Sequence, residues 1–126
     1  MSNIYPELHF ITTDQWMNDP NGLVKLNDEY HLFYQASPNG PEWRDIGWGH
    51  AVSKDLVSWT QKPNSLYATD TMMCFSGSAI VQNDEILGFY TACDYEWRET
   101  EFYVHNQTQR AVKYDKHSEV FIELYH

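Results

Sequence analysis

The sequence predicts an all-β fold. Short runs rich in Val, Ile, Tyr, Phe and Trp are separated by turn signals such as Asn-Asp and Pro-Asn-Gly along the 126-residue chain. No stretch shows the period of an amphipathic helix over a sufficient length. A hydrophobic content of 42% is enough for a core, and the length allows one domain at most.

The first group of strands surrounds an Asn-Asp turn. An apolar run on each side of Asn27-Asp28-Glu29 predicts a hairpin, and Lys54-Asp55 predicts a tight turn between two later strands. The four predicted strands cover residues 22–26, 30–35, 48–53 and 57–60.

The second group begins with a similar hairpin. Two apolar runs, residues 76–81 and 86–92, flank Asn83-Asp84-Glu85. Weaker strand patterns follow at residues 102–104, 110–114 and 120–124.

The two hairpins form an internal repeat. Asn27 and Asn83 are 56 positions apart, and so are Phe33 and Phe89. A repeat of about this length with four short strands per unit is typical of β-propeller blades. Chance similarity between two hairpins is the alternative.

Charge and composition exclude several classes of function. The formal net charge is −10 and the eight Lys and Arg residues are scattered singly, which argues against a nucleic acid or an anionic membrane as partner. No run approaches the roughly 18 apolar residues of a membrane span. The N-terminus lacks a basic region followed by an apolar segment, so we expect no secretory signal and a cytoplasmic location.

Cysteine and histidine usage predicts neither a disulfide framework nor a metal site. Cys74 and Cys93 are expected to be free thiols in strands. The six His are dispersed and lack metal-ligand spacing, so no metal or other cofactor is expected.

The run Trp16-Met17-Asn18-Asp19-Pro20-Asn21-Gly22 is the most informative motif. Pro20 disfavours helix at Asp19, and Asn21-Gly22 suits a turn with positive φ. A carboxylate held rigidly in this way is a candidate nucleophile. The alternative is an ordinary Asx-Pro turn.

This run resembles the N-terminal signature of glycoside hydrolase family 32, which contains invertases, levanases, inulinases and sucrose-6-phosphate hydrolases. Further similarities follow in the family's order and cover residues 16–79, whereas beyond Ala92 the resemblance is weak. They are Phe33-Tyr34-Gln35, then Trp43, then the run from Trp48-Gly49-His50-Ala51 to Trp59, and Phe75-Ser76-Gly77-Ser78-Ala79.

The resemblance implies a fold and a site. The fold is a five-bladed β-propeller, of which about the first two blades are present, at residues 16–60 and 75–126 of a partial domain covering 1–126. Asp19 matches the nucleophile that attacks a terminal fructosyl unit in a retaining mechanism. The positions that match sugar-holding residues are Asn18, Gln35, Trp43, Phe75 and Ser76.

Other residues in the motifs have simpler interpretations. We interpret Trp48 and Trp59 as core residues. For His50 a buried core position and a supporting position near the site both stay open.

Two parts of the family pattern are missing. The chain contains neither an R-D-P motif nor the later E-C motif, whose Glu is the acid/base. Arg44-Asp45 is followed by Ile46 and comes too early, so we interpret it as a loop pair. We therefore expect a truncated, catalytically incomplete portion of a longer β-fructofuranosidase-type hydrolase.

The alternative function is a non-catalytic, carbohydrate-binding remnant. A related five-bladed glycosidase acting on pentosides is disfavoured by the F-S-G-S and W-G-H-A motifs. The sequence leaves sucrose, sucrose 6-phosphate, inulin and levan open as substrates.

Overall fold

Two four-stranded antiparallel sheets make up the structure, a computed structural model that describes residues 10–12 and 14–124. These residues contain no helix, so the all-β prediction is confirmed. The first sheet has the order β1-β2-β3-β4 and the second β5-β6-β7-β8. The strands are β1 (Trp16–Leu26), β2 (Glu29–Ser37), β3 (Gly47–Ser53), β4 (Thr60–Leu66), β5 (Met72–Gln82), β6 (Glu85–Arg98), β7 (Glu101–Asp115) and β8 (Val120–Glu123).

Asn-Asp pairs form the tips of the first hairpin in each sheet, as predicted. Asn27 and Asp28 have φ values of 52° and 65°, and Asn83 and Asp84 have values of 52° and 60°. Two consecutive residues with positive φ give a turn whose twist matches the flanking strands. Asn and Asp tolerate this conformation better than most side chains do.

The fourth strand lies later than predicted. Residues 54–59 form an irregular turn in which the Asp55 carboxylate accepts from the backbone N–H groups of Val57 (2.9 Å) and Ser58 (2.8 Å). The predicted strand at 57–60 is therefore wrong for residues 57–59, because these local bonds favour a turn, whereas Thr60 begins β4. β4 instead contains Pro63, which an edge strand tolerates.

The second sheet has one long strand where two short ones were predicted. Residues 102–104 and 110–114 both belong to β7. β6 and β7 remain paired as far as Arg98 and Glu101, whereas β5 and β6 pair only as far as Met72 and Asp94. The projecting part of this hairpin, residues 95–104, is called the arm below. A register shift between Asp94 and Tyr95 marks its base.

The Asp-Pro-Asn-Gly run is part of β1 and is not a positive-φ turn. Neither Asn21 nor Gly22 has a positive φ, and the register of β1 shifts on both sides of Pro20. The glycine is required for space, since a Cβ on Gly22 would lie 2.6 Å from Ala79 Cβ in β5. The predicted turn is wrong. A glycine is needed at position 22 because β5 lies too close for a side chain, and not because the backbone has a positive φ.

The main core lies between the two sheets. Phe33 and Trp48 from the first sheet are fully buried, and the ring centroid of Phe33 is 4.8 Å from that of Phe121 in β8. Phe89, the counterpart of Phe33 in the repeat, is 39% exposed on the second sheet. Trp59 packs beside Tyr34 in a smaller cluster, so both predicted core tryptophans contact a core.

A pair of histidines is buried near the hairpin tips, away from Asp19. His31 Nδ1 and His50 Nε2 are 2.9 Å apart, and His50 is 1% exposed. They line a cavity of about 430 Å³, together with Lys62 and other charged side chains. Burial, followed by the proximity of His31 and Lys62, lowers the pKa of His50 from 6.5 to about 3.

Replacing Gly22 with Ala is expected to destabilise the fold by about 1–3 kcal/mol, because the new methyl group forces β1 and β5 apart. Urea unfolding of the parent and the variant measures the change. Adding Ala79→Gly should recover part of the loss, since it removes the contacted Cβ but leaves the backbone nitrogen at 2.9 Å. Equal losses in the single and double variants would contradict the contact.

The free energy of unfolding is expected to fall as the pH drops from about 6.5 towards 3. Because the folded pKa of His50 lies below its ordinary value, the unfolded chain binds more protons over this range. The loss attributable to His50 between pH 7 and pH 4.5 should be about 1–3 kcal/mol. His50→Gln should flatten the pH dependence in urea titrations, whereas His117→Gln on the exposed β7–β8 turn should not.

Candidate functional site

Five of the six predicted site residues line one surface depression of about 360 Å³. Asp19 lies in β1, Gln35 in β2, Trp43 in the β2–β3 loop, and Phe75 and Ser76 in β5. Motifs that are far apart in sequence therefore meet on one concave surface. The roles of these five residues in binding and cleaving a sugar stay predictions.

Asn18 does not line the depression. It precedes Asp19 in β1, is exposed, and its Oδ1 accepts a hydrogen bond from Trp16 Nε1 at 2.9 Å. The structure thus places its amide against a neighbouring indole, beside and not within the depression.

Buried hydrogen bonds beneath the depression connect the first sheet to β5. Gln35 Nε2 donates to the carbonyl of Cys74 and Trp48 Nε1 to the carbonyl of Phe75, both at 2.9 Å. With its amide oriented to satisfy its neighbours, Asn21 Oδ1 accepts from the backbone N–H of Gln35 at 3.1 Å and shares the single Trp48 indole N–H, also at 3.1 Å, with the Phe75 carbonyl. Since all three side chains are at most 4% exposed, losing a partner would leave a buried polar group unsatisfied.

These bonds fix β5 where its register shifts, between Phe75 and Gly77. A bulge of this kind redirects the side chains around it. The carbonyls of Cys74 and Phe75 are held by the first sheet, so Ser76 lies in the same depression as Asp19. The Phe75-Ser76 pair is therefore positioned by side chains of the first sheet.

One wall of the depression is aromatic. The ring centroids of Trp43 and Phe75 are 6.2 Å apart at an interplanar angle of 57°, and Trp43 is 37% exposed. Ser76 and Thr91, both of which carry hydroxyl groups, belong to the same lining. Apolar ring faces next to directional hydroxyl groups suit a ligand that, like a sugar, has both C–H faces and hydroxyls.

Sequence reasoning missed Thr91, Gln107 and Asn21. Thr91 pairs with Phe75 in the β5–β6 register, so a full register for the predicted hairpin would have identified it. Gln107 lies in the part of β7 between the two short strands that were predicted, and no pattern pointed to it. Asn21 was assigned to a turn, which concealed its buried contacts.

Asp19 is the only carboxyl group among the described residues that line the depression. Asp45 lies in the β2–β3 loop, where its Oδ2 accepts from Asn39 Nδ2 at 2.8 Å. Within residues 10–12 and 14–124, no three His, Cys, Asp or Glu side chains are grouped so that they could hold a metal ion. The same residues include no helix long and apolar enough to cross a membrane.

Solved structures of similar proteins share this arrangement of sheets. A β-fructofuranosidase of Bombyx mori superimposes with a TM-score of 0.80 at 31% identity, covering 97% of this chain and 25% of that one. An exo-inulinase of Aspergillus awamori gives a TM-score of 0.77 at 31% identity, covering 93% and 26%.

Sequence comparison identifies relatives of the same kind. The levanase of Bacillus subtilis is 51% identical over 86 residues, which cover 68% of this chain and 13% of that protein. The sucrose-6-phosphate hydrolase of Escherichia coli is 42% identical over 93 residues, covering 71% and 20%. This chain therefore spans only a fifth or less of the length of these two relatives.

The family model for the N-terminal domain of glycosyl hydrolases family 32 matches residues 9–124. That match includes every residue of the depression and both sheets. The chain belongs to glycosyl hydrolases family 32, and its two sheets are blades of the family's propeller.

Proposed function

We propose that this chain carries the nucleophile and one wall of the fructosyl site of a β-fructofuranosidase-type hydrolase. The observation that carries the proposal is that Asp19 lies in one depression with Gln35, Trp43, Phe75 and Ser76. Family membership supports it, as do the substrates named for relatives. A Bombyx mori variant was solved with sucrose, and a Cichorium intybus exohydrolase variant with 1-kestose.

Asp19 is assigned the nucleophilic step. One of its carboxylate oxygens attacks the anomeric carbon of a terminal fructosyl unit, and the bond from that carbon to the leaving oxygen breaks. The aromatic wall of Trp43 and Phe75 holds the apolar side of the sugar, while Ser76 offers a hydroxyl to it. Water then releases fructose, so that configuration is retained.

A retaining glycosidase also needs a second carboxyl group, about 5–5.5 Å from the first, to protonate the leaving oxygen. The described lining of the depression contributes only Asp19. We propose that the acid/base group comes from outside the described residues, and that this chain alone is catalytically incomplete. General acid catalysis contributes roughly 10²–10⁴-fold, so sucrose turnover by this chain should lie at background.

Sugar binding without hydrolysis is the second candidate. The exposed Trp43 and the single carboxyl group favour it for the chain by itself. The two candidates differ in whether Asp19 reacts, and a substrate whose leaving group needs no proton separates them.

β-D-Fructofuranosyl fluoride is such a substrate. Its C–F bond breaks without an acid, so Asp19 should form an ester to the anomeric carbon while fluoride departs. Mass spectrometry of the chain after incubation should show a fructosyl adduct on the peptide that contains Asp19. The adduct should accumulate, because no acid/base group assists its hydrolysis.

Asp19→Asn should abolish the adduct, whereas Asp28→Asn, which changes an exposed carboxyl group at the hairpin tip, should leave it intact. Labelling that survives Asp19→Asn would refute the nucleophile assignment. Reducing sugar released from sucrose by the parent chain, and lost in Asp19→Asn, would refute catalytic incompleteness. Fructose binding without any adduct would favour the second candidate.

A further inference from the structure

Trp43 lies in an irregular loop, and strand pairing does not fix its side chain. The loop covers residues 38–46, between β2 and β3. Its backbone is held at Gly40, whose carbonyl accepts from the Trp16 N–H, and at Ile46, whose carbonyl accepts from the Cys74 N–H, both at 2.9 Å. The Ser37 hydroxyl also donates to the Arg44 carbonyl at 2.5 Å. These bonds fix the loop backbone on both sides of Trp43 but leave its indole to be oriented by side-chain contacts.

Two phenylalanine rings contact the Trp43 indole. Phe75 is 6.2 Å away between centroids and itself lines the depression. Phe102 is closer, at 5.4 Å, and meets the indole edge to face at 84°. Edge-to-face packing is a favoured geometry for aromatic pairs. We expect this contact to restrict rotation of the Trp43 indole.

Phe102 belongs to the arm and not to the lining of the depression. Its ring also contacts Tyr95 and Trp97, with centroids 5.4 Å and 5.3 Å away. The guanidinium of Arg44, next to Trp43 in the loop, lies 5.1 Å over the Trp97 ring. The arm of the second sheet therefore supports the loop of the first through two adjacent contacts.

We propose that Phe102 is a positioning residue, which holds the Trp43 indole in place as the apolar wall of the sugar site. The arm thus determines the shape of the site without touching the sugar. The proposed effect on sugar affinity rests on the proposed function, whereas the effect on Trp43 itself does not.

Phe102→Leu tests the role, because it keeps apolar bulk and removes the ring. The protein is labelled with 5-fluorotryptophan, and the ¹⁹F signal of Trp43 is assigned by its absence in Trp43→Phe. In Phe102→Leu the signals of Trp43 and Trp97 should move, while that of the buried Trp48 should not. Phe89→Leu, a ring on the same sheet without an aromatic contact to Trp43, is the matched control.

Sugar affinity gives the second readout. The dissociation constant for fructose, measured from the same signals, should rise about three- to tenfold in Phe102→Leu, as expected for the loss of one aromatic contact. Phe89→Leu should match the parent. Phe102→Tyr retains the ring and should restore both the signal position and the affinity.

The outcomes separate this inference from the proposed function. An unmoved Trp43 signal in Phe102→Leu, or equal movement in Phe89→Leu, would overturn the positioning role. If the parent chain binds fructose, a moved signal with unchanged fructose affinity would overturn the claim that the positioned indole shapes the sugar site. If the parent chain binds no fructose, the proposed function loses its support, and the Trp43 signal alone decides whether Phe102 positions the indole.

Discussion

The close approach of β1 and β5 is the constraint on which the candidate site depends. Gly22 faces Ala79 with no room for a side chain between them, and this distance allows the first sheet to bond the backbone of β5. Gln35 and Trp48 donate to the carbonyls of Cys74 and Phe75 across that boundary. Asp19 and the Phe75-Ser76 pair thereby line one depression, although more than fifty residues separate them in the sequence.

Much of the fold was predictable because its determinants are local. The Asn-Asp turns set the hairpins, and short runs rich in β-branched and aromatic residues identified the strands around them. The spacing between Phe33 and Phe89 indicated two equivalent sheets. Motif order then indicated which residues would converge, and the depression contains five of the six.

The errors have two sources: contacts between distant strands, and local side-chain bonds that compete with strand formation. Gly22 has the sequence of a turn residue but is a glycine because Ala79 is adjacent. Residues 57–59 belong to the predicted strand 57–60, yet the Asp55 carboxylate accepts from the backbone N–H groups of Val57 and Ser58 and holds them in a turn. The length of β7 depends on its pairing with β6, which neither segment shows alone. Phe102 reaches Trp43 because pairing with β6 extends β7 into the arm, and the local sequence does not show this pairing.

The repeat gives the two sheets equivalent faces, of which one is buried and the other is exposed. Phe33 is enclosed by the second sheet, whereas Phe89 at the same place in the repeat is 39% exposed, beside Ile80 at 47%. The second sheet therefore covers a phenylalanine of the first sheet on one face and exposes the equivalent phenylalanine on its own surface. An exposed apolar face of this kind suits packing against a further sheet, as Phe33 packs against the second sheet.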